Sequence, residues 1–174
     1  MLSYESISEL CQKASEQNKK ISEIVLSDEA IQMEQTEQEL FNRMAQSFKI
    51  MCDAVNEGKN PNLRSTSGLT GGDAAKMEKY AQTGGLCGSF LNLAISKAIA
   101  VSEYNASMGK IVAAPTAGSC GILPACIISM VESGKCDESK AIMSLFTAGA
   151  FGMVIAQKAS VAGGGGGGQD GWAA

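Results

Sequence analysis

Residues Leu86–Gly121 read L-C-G-S-F-L-N-L-A-I-S-K-A-I-A-V-S-E-Y-N-A-S-M-G-K-I-V-A-A-P-T-A-G-S-C-G. The first half, Leu86–Tyr104, is a long apolar run with small residues throughout, which predicts a helix packed by close approach. Ile111-Val112-Ala113-Ala114 has the composition of a short strand, but no second strand is available to pair with it, and an unpaired ladder is costly. The stretch therefore predicts an all-α fold in which long glycine-rich connections, here Met108–Cys120, meet at one place.

Working outward, Gly84-Gly85 break the chain ahead of this helix, and Asp73 caps a short helix to about Gln82. Asn60–Gly72 is turn-rich. Further upstream, Ser3 caps a helix over Tyr4–Gln17, and Ser27-Asp28-Glu29 reads as the start of a helix running to about Glu57, stopped by Gly58 and Pro61. Downstream, helices are predicted over Gly121–Glu132 and Glu138–Lys158. Lys140 and Lys158 bracket 17 uncharged residues that include Ser144, Thr147, Gly149 and Gly152. That run is short for a membrane span, so a buried helix is the expectation.

At 174 residues, with 45 % hydrophobic and 18 % charged residues, the chain has globular composition and a length suited to one domain. The expected division is a helical domain over residues 1–158 and an irregular glycine-rich tail over 159–174. Within the domain, residues 1–60 form an acidic layer of helices (11 acids, 6 bases), and 61–158 carry the site. The net charge of −4 offers nothing to a nucleic-acid backbone or an anionic membrane. The six cysteines show no paired framework and no apolar leader precedes them, which predicts a cytoplasmic protein with free thiols. The chain has no histidine, so no Ser–His or Cys–His dyad and no His-ligated metal site can be built from it.

Two loops carry residues suited to chemistry. In Ser65–Asp73, S-T-S-G-L-T-G-G-D, hydroxyls alternate with glycines just ahead of a helix N-terminus, where free N–H groups and side-chain donors can converge on an anion. The pattern lacks G-K-[ST] and is not a P-loop; it also suits a plain turn before a capped helix. In Ala113–Gly121, A-A-P-T-A-G-S-C-G, Pro115 stiffens the entry, Gly118 and Gly121 permit unusual dihedrals, and Thr116 and Ser119 add donors. Cys120 falls at the start of the next helix, where the dipole would lower the thiol pKa and favour a metal-binding thiolate; a buried small hydrophobe is the other reading. Asn105, near the end of the apolar helix, is either a C-cap or an amide available to a polar ligand.

These segments together, S-G-L-T-G-G-D, then E-Y-N-A-S-M-G-K-I-V-A-A-P-T-A-G-S-C-G-I-L-P, T-A-G-A-F-G and A-S-V-A-G, resemble the alpha chain of bacterial iron–sulfur-dependent L-serine dehydratase. The resemblance implies conversion of L-serine to pyruvate and ammonia by the open, Lewis-acidic iron of a four-iron–four-sulfur cluster held on three cysteines. It matches Cys120 to the first cluster ligand. It also matches Ser67, Thr70, Gly71, Gly72, Asp73, Ala117, Gly118 and Ser119 to the substrate pocket, to which the polar reading adds Asn105. A beta chain or beta domain is the implied partner, within an oligomer, and the general base is not identifiable. The resemblance places the second-ligand position at Gly168, in the run Gly163–Gly168, and the third beyond Ala174. The chain as written is thus expected to lack cluster and activity, the alternative being a cluster-free fragment that binds a small anion or a partner chain.

Overall fold

The computed structural model describes residues 4–158, and among these it contains helices and connecting loops but no strand. The helices are α1 (Ile7–Gln17), α2 (Ile21–Met33), α3 (Glu37–Gly58), α4 (Asp73–Gln82), α5 (Gly88–Ala106), α6 (Ile122–Glu132) and α7 (Glu138–Lys158). The all-helical expectation is met, and Ile111–Ala114 is loop. Ser3, Gly168 and the glycine-rich tail lie outside the described residues.

The helix ends follow local hydrogen-bonding chemistry. Ser6 rather than Ser3 caps α1, its hydroxyl accepting from Glu9 N at 3.1 Å. The single long helix expected from Ser27 is two helices. Ser27-Asp28-Glu29 lie inside α2, and the chain breaks at Glu34, which adopts a left-handed φ of 53°. The restart is a capping box: Glu39 N donates to Thr36 Oγ1 at 3.2 Å while Thr36 N donates to Glu39 Oε2 at 2.9 Å. The T-x-x-E signature at Thr36–Glu39 was present in the sequence and marks this start. Asp28 has a tertiary role, accepting from Tyr4 Oη and Lys13 Nζ, each at 2.5 Å.

The described residues divide into two compact units, 4–45 with 142–158, and 46–141, with α3 and α7 each contributing to both. In the first unit the core gathers Tyr4, Leu10, Val25, Leu26, Leu40, Phe146, Ala150 and Val154, with Met44, Met143 and Met153 packed around it. α7 is long and apolar enough to cross a membrane by length and composition. It inserts Phe146, Ala150 and Val154 into this protein core.

In the second unit α5 packs against α4 and against α6. Its Ala100 and Val101 are buried, as are Phe48, Met51, Val55, Ala74, Ala125 and Ile128 of the same unit. Polar groups on α5 are buried too, and each is tied to a neighbour, as burial requires. Ser96 Oγ donates to Ala74 O at 2.9 Å, and Asn92 Nδ2 to Gly84 O at 3.2 Å. Lys97 Nζ, on an almost fully buried side chain, pairs with Glu132 Oε2 at 2.9 Å. These bonds set the register of α5 against α4 and α6, the arrangement on which the site below is built.

Candidate active site

The loop before α4 is folded on itself by its own hydroxyls. Ser65 N donates to Thr70 O at 2.9 Å, Thr70 N returns a bond to Ser65 Oγ at 3.2 Å, and Ser65 Oγ meets Ser67 Oγ at 3.1 Å. Thr66 N and Thr66 Oγ1 both donate to Ala106 O, at 3.0 and 3.3 Å, which pins the loop to the last turn of α5. Gly71 and Gly72 close it with φ of 141° and 84°, values that a side chain resists, and a Cβ at Gly71 would strike the Leu63 carbonyl.

At the start of α4 the structure departs from the free anion cradle. Its first amides are taken by a side chain of the protein itself: Asp73 N donates to Glu103 Oε1 at 2.8 Å, and Ala74 N to Glu103 Oε2 at 3.3 Å. Glu103, only 6 % exposed, is held at the positive end of α4 across from its place on α5.

The second loop is knotted in the same manner. Thr116 and Ser119 exchange backbone-to-hydroxyl bonds, Thr116 N to Ser119 Oγ at 3.3 Å and Ser119 N to Thr116 Oγ1 at 3.2 Å. Ser119 Oγ donates to Ala114 O at 3.1 Å, and Asn105 Nδ2 donates to Ala117 O at 3.1 Å. Asn105 is therefore neither C-cap nor free amide. Ser107 caps α5, and the Asn105 amide is spent on anchoring the loop to α5.

Both loops face a cleft of about 360 Å³ whose floor is α5. Thr70 and Asp73 line it on one side, Gly118, Ser119, Gly121 and Ile122 on the other, and Ala98, Ile99, Ser102 and Glu103 from α5. The volume is in the range of small-molecule sites. Both ionisable groups on the lining, Asp73 and Glu103, are acids, and Asp73 carries an ion pair to Lys76 at 2.8 Å.

Of the residues expected from the sequence, Thr70, Asp73, Gly118 and Ser119 lie on the cleft. Ser67, Gly71, Gly72, Asn105 and Ala117 stand off the lining and shape or anchor the loops that form it. The sequence reading missed Ser102 and Glu103 as lining residues. The signal available was that Glu103 is the one acid in a helix dominated by apolar and small residues, and a buried acid must find donors.

Cys120 sits one residue before the Gly121 N-cap of α6, as expected, and is fully buried. Its thiol is not acidified. Burial pushes the pKa up, overriding the backbone N–H that favours the thiolate, so the unligated side chain is a neutral thiol at pH 7. Gly121 has ordinary helical dihedrals, φ −84° and ψ −26°. What demands glycine there is the close approach of α5, because a Cβ would overlap the carbonyl oxygen of Ala98. Among the described residues no group of three or more His, Cys, Asp or Glu is arranged to hold a metal ion. Among the described residues the cluster that the resemblance implies finds one matching thiol, Cys120, and not a ligand set.

The chain matches the family model for the serine dehydratase alpha chain over residues 16–174. It is 38 % identical over 165 residues to a probable L-serine dehydratase alpha chain of Bacillus subtilis (strain 168), covering 94 % of this chain and 55 % of that protein. With the L-serine dehydratase alpha chain of Peptoniphilus asaccharolyticus it shares 33 % identity over 160 residues, 91 % of this chain and 55 % of that one. An L-serine dehydratase of Streptomyces coelicolor is 29 % identical over 163 residues, 89 % of this chain and 34 % of that protein. The chain thus spans about half the length of the two alpha chains. No solved structure matches it. With a family match running from Glu16 through the loop, cleft and helices just described, the chain belongs to the serine dehydratase alpha chain family.

Proposed function

We propose that the cleft binds L-serine and that the protein built from this chain dehydrates it to pyruvate and ammonia. The observation that carries the reading is convergence: the two loops that carry the resemblance, Ser65–Asp73 and Ala113–Gly121, are far apart in sequence and line one cleft. Its chemistry suits a small hydroxylated amino acid. Ser102 donates its proton to Ala98 O at 3.1 Å, leaving lone pairs to accept, while the Thr70 and Ser119 side chains add polar groups on the two facing walls.

The reaction removes the α-proton and the β-hydroxyl of serine as water. The resulting 2-aminoacrylate tautomerises to the imine, and hydrolysis of the imine gives pyruvate and ammonia. Hydroxide is a poor leaving group, and the Lewis acid of the family's four-iron–four-sulfur cluster is what would assist it. Cys120 is the one described thiol that matches a ligand of that group, so the part proposed for this chain is to bind and orient serine. A beta chain or beta domain is the proposed partner, and the 174-residue chain alone is proposed to be inactive.

The test is pyruvate release from L-serine by the longest native form of the chain with its beta chain, prepared anaerobically with iron and sulfide. Pyruvate and ammonia in equal amounts are expected from that complex and none from the 174-residue chain. A complex that releases no pyruvate from L-serine contradicts the proposal.

A further inference from the structure

Glu103 combines three properties: it is buried, it satisfies both leading amides of α4, and it lines the cleft. A helix N-terminus is an anion site, and here the protein supplies the anion. We infer that Glu103 is a positioning and specificity residue for the proposed serine site: its carboxylate fills the anion position of α4, so a ligand carboxylate is barred from that wall and a ligand ammonium is drawn to it. The second half of this inference rests on the serine reading; the first does not.

The argument is one of saturation and sign. A carboxylate has about four acceptor positions, and two are used by the Asp73 and Ala74 amides, so acceptor capacity remains on a residue that lines the cleft. A second carboxylate brought to the same wall would meet the charge of Glu103, with the Asp73 and Ala74 amides already occupied; Asp73 itself is paired with Lys76 and adds little to the repulsion. An ammonium meets attraction instead. Serine would then lie with its ammonium toward the α4 wall and its carboxylate toward the Gly118–Ser119 loop.

Two variants test this. In Glu103→Ala the two amides lose their anion, so the melting temperature should fall and be restored in a saturable manner by formate, with formamide inactive and the parent chain indifferent to both. If Glu103→Ala is unfolded alone, formate should refold it. A variant on which formate has no more effect than formamide overturns the internal-anion assignment.

Glu103→Gln keeps the shape and removes the charge. By calorimetry the parent chain should prefer L-serine to 3-hydroxypropionate, which lacks only the ammonium, by about tenfold or more, the scale of one charge-assisted contact. Glu103→Gln should bring the two ligands within about twofold of each other. Equal weakening of both ligands, as a merely structural role would give, overturns the ammonium assignment. Binding of neither ligand by the parent chain overturns the serine reading and the ammonium assignment together, while the formate experiment still decides what occupies the α4 amides.

Discussion

Gly121→Ala is expected to destabilise the second unit by about 1–3 kcal/mol, although alanine is the better helix former, because overpacking against backbone cannot be relieved by a rotamer change. The added Cβ would overlap the Ala98 carbonyl oxygen, so α6 must move away from α5, and the Gly121–Ile122 wall of the cleft moves with it. Gly118→Ala is the matched control. Three residues earlier on the same loop, its Cβ would meet nothing nearer than Thr116 Oγ1 at 3.7 Å. Denaturant midpoints of the two variants should therefore diverge, Gly121→Ala falling clearly and Gly118→Ala staying within about 0.5 kcal/mol of the parent. Equal midpoints would show that α5 and α6 are not in backbone contact at this point.

Phe146→Ala should cost more, about 3–5 kcal/mol, since the ring is 2 % exposed and its removal leaves a cavity in a close-packed core. Leu10, Val25 and Leu40 belong to the same cluster, and none is long enough to fill the space of a phenyl ring. Met33→Ala, at a half-exposed position of α2, is expected within about 0.5 kcal/mol of the parent. Chemical denaturation of the two variants measures the contrast directly. A cost below about 1 kcal/mol for Phe146→Ala would mean that α7 does not use this face in the protein core.

Where local chemistry decides an element, the sequence was legible. Glu138–Lys158 was read with the bounds the structure gives, and the α4 helix nearly so: Gly72, not Asp73, is its N-cap, and Asp73 is the first helical residue, its carboxylate paired with Lys76. The break between α2 and α3 was harder. It rests on a left-handed glutamate at position 34, a conformation without the usual glycine or asparagine signal, and the capping box at Thr36 was overlooked beside the stronger-looking S-D-E at Ser27. Asp28 spends its charge on Tyr4 and Lys13 instead of on a helix end.

At the site, the loops were legible as loops and the α5 contribution was not. That Glu103 turns back onto the α4 amides is a tertiary fact with no local marker beyond an acid in an apolar helix. The Asn105 amide went to Ala117 O for a like reason: its partner is fixed by how the second loop folds over the end of α5. For Cys120 the helix-terminus argument had the right position but left burial out. The thiol is fully buried at the start of α6, and desolvation pushes its pKa up despite a backbone hydrogen bond that lowers it.

The central claim is that Ser65–Asp73 and Ala113–Gly121 act as one serine site. Amide hydrogen exchange of the 174-residue chain, with and without saturating L-serine, tests it most directly. Slowed exchange in both loops, with residues 4–45 unchanged, is the result the account predicts. Protection confined to one loop, or found only outside both, would contradict it.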